Sequence, residues 1–282
     1  MNMMATIAAS GATRSGDAHS GDVRPSQARN AIEIDNVAVT FGGSSRAVRA
    51  IDNVSLTVRE GEFVSLIGHS GCGKSTLLRT IADIIAPTEG KVAIFGGTPA
   101  AARASRTFSM VFQQSVLMPW AKVIDNVRLP FEVGGANPKA GNFMDPHEAL
   151  KLVELEGFED ALPSELSGGM RQRVSIARAL VTRPKVLLMD EPFGALDELV
   201  RDTLNVELLR IWKQSGMTIV FVTHSLHEAV FLSQRVVVMS RRPSRIGGIL
   251  EIDLPEERDL ALKDAPELGH HVARLRDMLG AG

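Results

Sequence analysis

The amino-acid sequence predicts an α/β fold with a mainly parallel sheet and flanking helices, an antiparallel β subdomain and an inserted helical subdomain. Short, continuous apolar runs at 186–190, 218–223 and 235–239 are typical of buried central strands. Helical patterns alternate with these runs, which favours a parallel sheet. Apolar residues alternate approximately over 32–39 and 54–58, and this pattern instead indicates two half-exposed antiparallel strands.

The remaining elements follow in chain order from apolar spacing and from helix start and stop signals. After the turn at Glu60-Gly61, the sequence predicts strands at 62–67, 91–95, 107–112 and 249–253. It predicts helices from Lys74 to about Ile85 (closed by Pro87), at 167–182, 198–214, 225–232 and 266–279. Asp145, Pro146 and Glu148 predict another helix start, with Gly157 as its stop.

Composition narrows the class of protein before any motif is considered. The 282 residues predict one or two domains, and the net charge of −2 argues against a nucleic-acid partner bound through its phosphates. Cys72 is the single cysteine, so an internal disulfide is excluded and a reducing compartment is favoured. No stretch approaches the roughly 18 apolar residues of a membrane span. These features predict a soluble, intracellular globular protein.

Changes in composition predict the domain organisation. Residues 1–30 have almost no large apolar side chains and are expected to form a disordered N-terminal tail. The main domain is expected at 31–245, with a helical insertion at about 115–165 where the strand signals stop. Residues 246–282 are expected to form a short C-terminal appendage.

A glycine-rich loop fits the phosphate-binding pattern G-x-x-x-x-G-K-[ST] between a predicted strand and a predicted helix. Such glycines let backbone N–H groups point at phosphate oxygens, and the helix N-terminus adds a positive dipole end. Lys74 would supply charge for the β- and γ-phosphates, and Ser75 a hydroxyl for Mg²⁺. The alternative is a glycine-rich turn with an incidental lysine. The residues expected around the phosphates are Gly68, His69, Ser70, Gly71, Cys72, Gly73, Lys74, Ser75 and Thr76.

The apolar run at 186–190 ends in Asp190, and Glu191 follows at once. An acid at the end of a strand beside a phosphate loop can hold the Mg²⁺ shell, and the next acid can orient and deprotonate a water. Strand-end acids also often only cap a turn. Together with the phosphate loop, the pair predicts a core of the P-loop nucleotide triphosphatase type that binds a nucleoside triphosphate and Mg²⁺.

Further motifs follow in a specific order. Gln113 lies in Val-Phe-Gln-Gln at 111–114, Leu-Ser-Gly-Gly-Met at 166–170 opens a helix, and His224 follows the strand at 218–223. Asp197 ends Gly-Ala-Leu-Asp. In this order they resemble the Q-loop, signature motif, H-loop and D-loop of ABC-transporter ATPase subunits. The resemblance covers about 31–240.

This resemblance implies several roles. Ser167, Gly168 and Gly169 would complete the ATP site of a second copy, giving a head-to-tail dimer with ATP sandwiched at the interface, to which Asp197 also contributes. His224 would contact the γ-phosphate and hold the water in place. Gln113, with Gln114 as an adjacent competitor, would reach the Mg²⁺ or the water.

Adenine is stacked on an aromatic residue in this family, often tyrosine. Phe41 stands at the matching place, and a core residue at a strand end is the alternative. Two positions depart from the commonest family form: Met170 stands where glutamine is usual, and Ser225 follows His224 where aspartate is usual. Neither departure removes a catalytic group, and Ser225 with Glu228 still forms a capping box.

Two stretches, at 116–126 and at 241–255, resemble importer ATPases of the nitrate/sulfonate/taurine type. In these, a groove beside the Q-loop receives a helix of the membrane subunit. Leu117, Met118 and Trp120 are candidates for lining it, although any one of them could equally belong to the core of the insertion.

The resemblance therefore implies a peripheral ATPase on the cytoplasmic face of the inner membrane. Its implied partners are a second copy, a transmembrane permease and, indirectly, a solute-binding protein for a small anionic solute. An ABC ATPase of a lipid-trafficking or non-transport system is the main alternative.

Overall fold

The computed structural model describes residues 29–42, 47–133 and 143–280, so the predicted tail at 1–30 lies almost wholly outside the described residues. The strands are β1 (Asn30–Phe41), β2 (Val48–Arg59), β3 (Phe63–Gly68), β4 (Glu89–Ile94), β5 (Phe108–Val111), β6 (Val186–Asp190), β7 (Thr218–Val222), β8 (Arg235–Met239) and β9 (Ile246–Glu251). The helices are α1 (Lys74–Ile81), α2 (Pro99–Ala104), α3 (Val123–Glu132), α4 (Pro146–Leu152), α5 (Gly168–Leu180), α6 (Glu198–Ser215), α7 (Leu226–Leu232) and α8 (Pro266–Gly280).

The strands form two sheets, as the sequence predicts. In the larger sheet the order is β5-β6-β7-β3-β8-β9, and all neighbours are parallel except β8 and β9. In the smaller, antiparallel sheet the order is β2-β1-β4. Because β3, β6 and β7 run parallel, their carboxyl ends meet at one edge of the larger sheet. The segments that follow these strands are therefore brought together there.

Apolar cores lie on both faces of the larger sheet, and alternate residues of β3 show the division. Phe63 and Ile67 pack into the cluster formed with α3 to α8, whereas Val64 and Leu66 pack into the cluster shared with α1 and the antiparallel sheet. This alternation follows from the period of two in a strand, and the fully buried β3 therefore reads as a continuous apolar run.

Several predicted boundaries are wrong, including those of α1, α4 and β9. Helix α1 ends at Ile81, where Asp83 turns the chain with a φ of 57°, and α4 ends at Leu152, before Glu154 with a φ of 53°. Both turns use a left-handed residue that is not glycine, so Pro87 and Gly157 are not the stops. Strand β9 covers Ile246–Glu251 rather than 249–253, because its pairing with β8 begins directly after the connecting loop.

The C-terminal segment packs against the helices of the main sheet. Arg258 donates to the carbonyl oxygens of Phe231 at 2.8 Å and Ser233 at 3.0 Å, at the end of α7. Burial lowers the pKa of Arg258 to about 10. Lys263 forms an ion pair with Asp202 of α6. Along the described part of the chain, none of the helices is both long and apolar enough to span a membrane.

Candidate nucleotide site

The glycine-rich loop connects the end of β3 to the start of α1. Its conformation needs glycine at particular places, since Gly73 has a φ of 128° and a Cβ at Gly68 would lie 2.8 Å from the carbonyl oxygen of Met239. Gly73 is the N-cap of α1 and has no side chain to bond the first N–H groups. The N-terminus of α1 therefore presents backbone donors and a positive dipole end to the loop.

Lys74 lies inside this loop and is 4% exposed. Its Nζ donates to the carbonyl oxygens of Gly68 at 2.9 Å and His69 at 3.2 Å. His69 and Ser70 are exposed, whereas the Cys72 side chain is buried. The buried ammonium group is thus held at the centre of the loop by its own backbone.

Asp190 and Ser75 form the second part of the site. The Ser75 hydroxyl donates to Asp190 Oδ1 at 2.6 Å, joining the start of α1 to the end of β6. A hydroxyl and a carboxylate are oxygen ligands of the kind that Mg²⁺ prefers, so this donor set fits the metal. Gln113 is exposed, two positions beyond the end of β5. In the described part of the chain, its side chain has no hydrogen bond to this pair.

Glu191 and His224 form the third part. Glu191 Oε2 lies 3.3 Å from His224 Nδ1, and the Glu191 N–H donates to the Val222 carbonyl of β7 at 3.0 Å. Glu191 has a φ of 45°, a left-handed conformation that is strained for a residue with a Cβ. The turn places its carboxylate beside the imidazole, and Glu191 directly follows Asp190 in the chain.

Ser167 lies at the N-terminus of α5, far along the chain from the glycine-rich loop. Ser167 is the exposed N-cap, and its hydroxyl accepts from the Met170 N–H at 3.2 Å. A Cβ on Gly169 would lie 2.6 Å from Val200 Cγ1 of α6, and the Val200 N–H donates to Asp197 Oδ1 at 3.0 Å. The signature segment and the Asp197 cap therefore pack on each other. Among the described residues, no hydrogen bond joins Ser167 to the glycine-rich loop.

Two of the remaining predicted residues, Phe41 and Trp120, lie at the surface. Phe41 ends β1 with 44% of its surface exposed. Trp120 is 78% exposed, whereas Leu117 packs against the core. The buried Asn126 shapes this surface loop, because its Oδ1 accepts from the Met118 N–H at 2.7 Å.

Sequence reasoning missed two arginines. Arg79 lies one turn beyond Ser75 on α1 and forms an ion pair with Asp190 at 3.4 Å. Helical spacing could have indicated this, because Ser75 and Arg79 share a face. Arg242 donates to the Gly71 carbonyl oxygen at 2.6 Å, a contact between distant parts of the chain with no local sequence signal.

A phosphate loop, a hydroxyl–carboxylate pair and a carboxylate–imidazole pair at one sheet edge define a P-loop nucleotide triphosphatase. The family model described as ABC transporter matches residues 51–194, more than half of the chain. The chain belongs to the ABC transporter family, and it is an ATP-binding cassette with ATPase activity.

Named relatives and solved structures agree with this class. The chain is 40% identical over 241 residues to the aliphatic sulfonates import ATP-binding protein SsuB of Bacillus cereus, covering 86% of this chain and 94% of the relative. It is 44% identical over 223 residues to the taurine import ATP-binding protein TauB of Rhizobium johnstonii, covering 79% and 84%. The dimeric post-hydrolysis structure of the ATP-binding cassette MJ0796 bound to ADP and Pi matches with a TM-score of 0.67 and 32% identity, over 79% of this chain and all of that one.

Proposed function

We propose that this chain is the ATP-hydrolysing subunit of an ABC importer, in which MgATP-driven dimerisation is coupled to uptake of a small anionic solute through a separate membrane permease. The observation that carries the catalytic part is the contact between Glu191 and His224, where Glu191 directly follows Asp190, the partner of Ser75. The solute class is supported by the relatives named for aliphatic sulfonates import and taurine import, because both kinds of solute carry an anionic sulfonate group.

The chain's own groups divide the work of hydrolysis. Lys74 and the backbone donors of residues 68–76 would bind the β- and γ-phosphates. Ser75 and Asp190 would hold Mg²⁺, which when bound neutralises charge on the phosphate oxygens. The Glu191 carboxylate would accept a proton from the attacking water, and His224 would orient that carboxylate and contact the γ-phosphate.

A second copy would complete each site. The N-terminus of α5 is exposed at Ser167 and Gly168, so it is available to a phosphate held by another molecule. Phe41 would offer its exposed ring to adenine. Asp197 would contribute at the same interface, because its turn packs on the signature segment through Val200. The dimeric cassette among the structural neighbours supports this arrangement.

The membrane partner would dock beside the Q-loop. The surface around Gln113 and Trp120 exposes aromatic area next to the segment that leaves β5. We propose that this surface receives the permease at the cytoplasmic face of the membrane and that a solute-binding protein delivers the solute on the other side. Gln113 would then link the state of the nucleotide to the permease.

The catalytic proposal is tested by Glu191→Gln. The variant is expected to bind ATP, to accumulate as an ATP-bound dimer and to lose about 10²- to 10⁴-fold in turnover, because the general base is gone. Phosphate release and gel filtration with ATP measure these effects. Glu267→Gln, on the exposed first turn of α8, is the control and should leave turnover unchanged. Wild-type turnover in Glu191→Gln would overturn the assignment of the base.

The importer proposal is tested by purifying the tagged chain from its own membranes. A permease and a solute-binding protein are expected to copurify, and the binding protein should take a sulfonate, nitrate or a similar anion. The ATPase rate of the complex in proteoliposomes should rise with the loaded binding protein. Stimulation by a lipid substrate, with no solute-binding protein present, would contradict import and favour the lipid-trafficking alternative.

A further inference from the structure

The loop between β8 and β9, residues 240–245, runs along the outer side of the glycine-rich loop. Arg242 Nη2 donates to the carbonyl oxygen of Gly71 at 2.6 Å. Ser244 pairs with β2, since its N–H donates to the Ala50 carbonyl at 3.0 Å and its carbonyl accepts from the Asp52 N–H at 2.9 Å. The loop thus joins the antiparallel sheet to the phosphate loop.

The glycine-rich loop rests on the same wall at a second point. A Cβ at Gly73 would lie 3.2 Å from the Ala50 carbonyl oxygen and 3.5 Å from Ser244 Cβ. Arg245 forms an ion pair with Asp52, and this contact lowers the pKa of the Asp52 carboxyl. The 240–245 loop is therefore held to β2, and the glycine-rich loop packs against β2 and against the 240–245 loop.

Hydrogen bonds connect Arg242 to the functional lysine. In a trans peptide the carbonyl and the following N–H point in opposite directions, so holding the Gly71 carbonyl outward turns the Cys72 N–H inward. That N–H donates to the His69 carbonyl at 3.2 Å, and the same carbonyl accepts from Lys74 Nζ. One guanidinium thus fixes the peptide that closes the turn around Lys74.

We propose that Arg242 is a positioning residue for nucleotide binding, which holds the turn of the phosphate loop in place from outside and adds a positive charge beside it. The guanidinium carries a positive charge, and its hydrogen bond to the Gly71 carbonyl is charge-assisted. The inference rests on the proposed role of residues 68–76 as the phosphate site. It assigns to the 240–245 loop a part in ATP affinity, in addition to its connection of β8 to β9.

The test compares Arg242→Ala with Arg241→Ala in the full-length chain. Arg241 is exposed and, within the described chain, its side chain has no hydrogen bond or ion pair, so its removal takes away the same charge without the contact. In Arg242→Ala the Kd values for ATP and ADP are expected to rise about 3- to 10-fold, equivalent to a lost hydrogen bond of about 1 kcal/mol. The KM for ATP should rise equally, with kcat unchanged.

Two further variants separate positioning from general charge or folding. Arg242→Lys keeps the charge and a donor group, although without the planar guanidinium fork, and should recover part of the lost affinity. Arg245→Ala releases the other end of the loop and should weaken binding in the same direction but less. The melting temperature without nucleotide should match that of the wild type in Arg242→Ala. Equal affinity in Arg242→Ala and Arg241→Ala would overturn the proposal.

Failure of this inference is distinguishable from failure of the proposed function. If Lys74→Ala retains tight ATP binding, residues 68–76 are not the phosphate site and both fail. If Lys74→Ala loses binding while Arg242→Ala does not, the phosphate site stands and only the role of Arg242 is rejected.

Discussion

Helices α1 and α5 both begin beside glycines, yet their N-termini are built differently. The N-cap of α1 is Gly73, which makes no side-chain hydrogen bond to the helix. The buried side chains of Lys74 and Asp190 lie at this helix end in the same molecule. At α5 the Ser167 hydroxyl caps the helix, and the guanidinium of Arg171 is turned back onto the Leu166 carbonyl. The first end has charged groups for phosphate and metal, whereas the second is exposed and offers only neutral donors. This difference favours two half-sites that are completed by pairing two chains.

Lys74→Ala is expected to have the largest effect on the difference between the two helix ends, because it removes the charge that distinguishes α1 from α5. ATP affinity should fall about 1,000-fold, or about 4 kcal/mol, since a buried cation is lost opposite phosphate. Equilibrium binding of a fluorescent ATP analogue measures the effect. Lys91→Ala is the control, because Lys91 is an exposed residue of β4 whose ion pair is with Asp35 of β1. If both variants bind alike, the α1 end has no special role.

The buried ion pair between Glu207 of α6 and Arg173 of α5 predicts a pH dependence of stability. The Glu207 carboxylate lies 3.4 Å from Arg173 of α5, and burial raises its pKa to about 7, although Arg173 and Arg210 oppose the shift and Glu154 adds to it. Because the folded pKa is raised, the associated stability is fully present below about pH 4.5 and is lost as the pH rises through about 7.

The loss should amount to about 2 kcal/mol between pH 5 and pH 8, measured as the free energy of unfolding in urea. Glu207→Gln cannot titrate, so it should remove this part of the pH dependence. The difference in stability between wild type and variant should therefore change with pH. A constant difference across this range would contradict the raised pKa.

The smallest expected effect is on stability, and the two glycines at the start of α5 provide a matched pair of substitutions to measure it. A Cβ at Gly169 would collide with Val200 Cγ1 at 2.6 Å, whereas at Gly168 the nearest atom, Leu196 Cδ2, is 3.5 Å away. Gly169→Ala should therefore lower the free energy of unfolding by about 1–2 kcal/mol. Gly168→Ala should be neutral or slightly stabilising, because alanine favours helix. Urea unfolding distinguishes them, and equal values would remove the packing argument for Gly169.

The sequence predicted the fold wherever the signal was local. Strands β6 and β8 were predicted to the residue, because fully buried parallel strands read as continuous apolar runs. The helix stops were wrong where Asp83 and Glu154 adopt left-handed conformations, which composition does not reveal. Strand order β5-β6-β7-β3-β8 also depends on long-range pairing that periodicity does not encode.

The site divides in the same way. Lys74, Ser75, Asp190, Glu191 and His224 were predicted from motifs, and the structure brings them to one edge of the larger sheet. Their roles stay predictions until the variants are measured. Arg242 was not predicted as a site residue, because its partner Gly71 lies far away in the chain and any exposed arginine in a loop looks the same in sequence.

The backbone at Glu191 has a consequence for how this protein can change. Because Glu191 has a φ of 45°, replacing it by glycine or asparagine would lower the backbone strain at this position by about 1 kcal/mol. Selection for heat resistance alone would therefore favour substitutions that delete the proposed base. A screen for thermostable variants that does not also monitor ATP turnover is expected to enrich inactive proteins mutated at this residue.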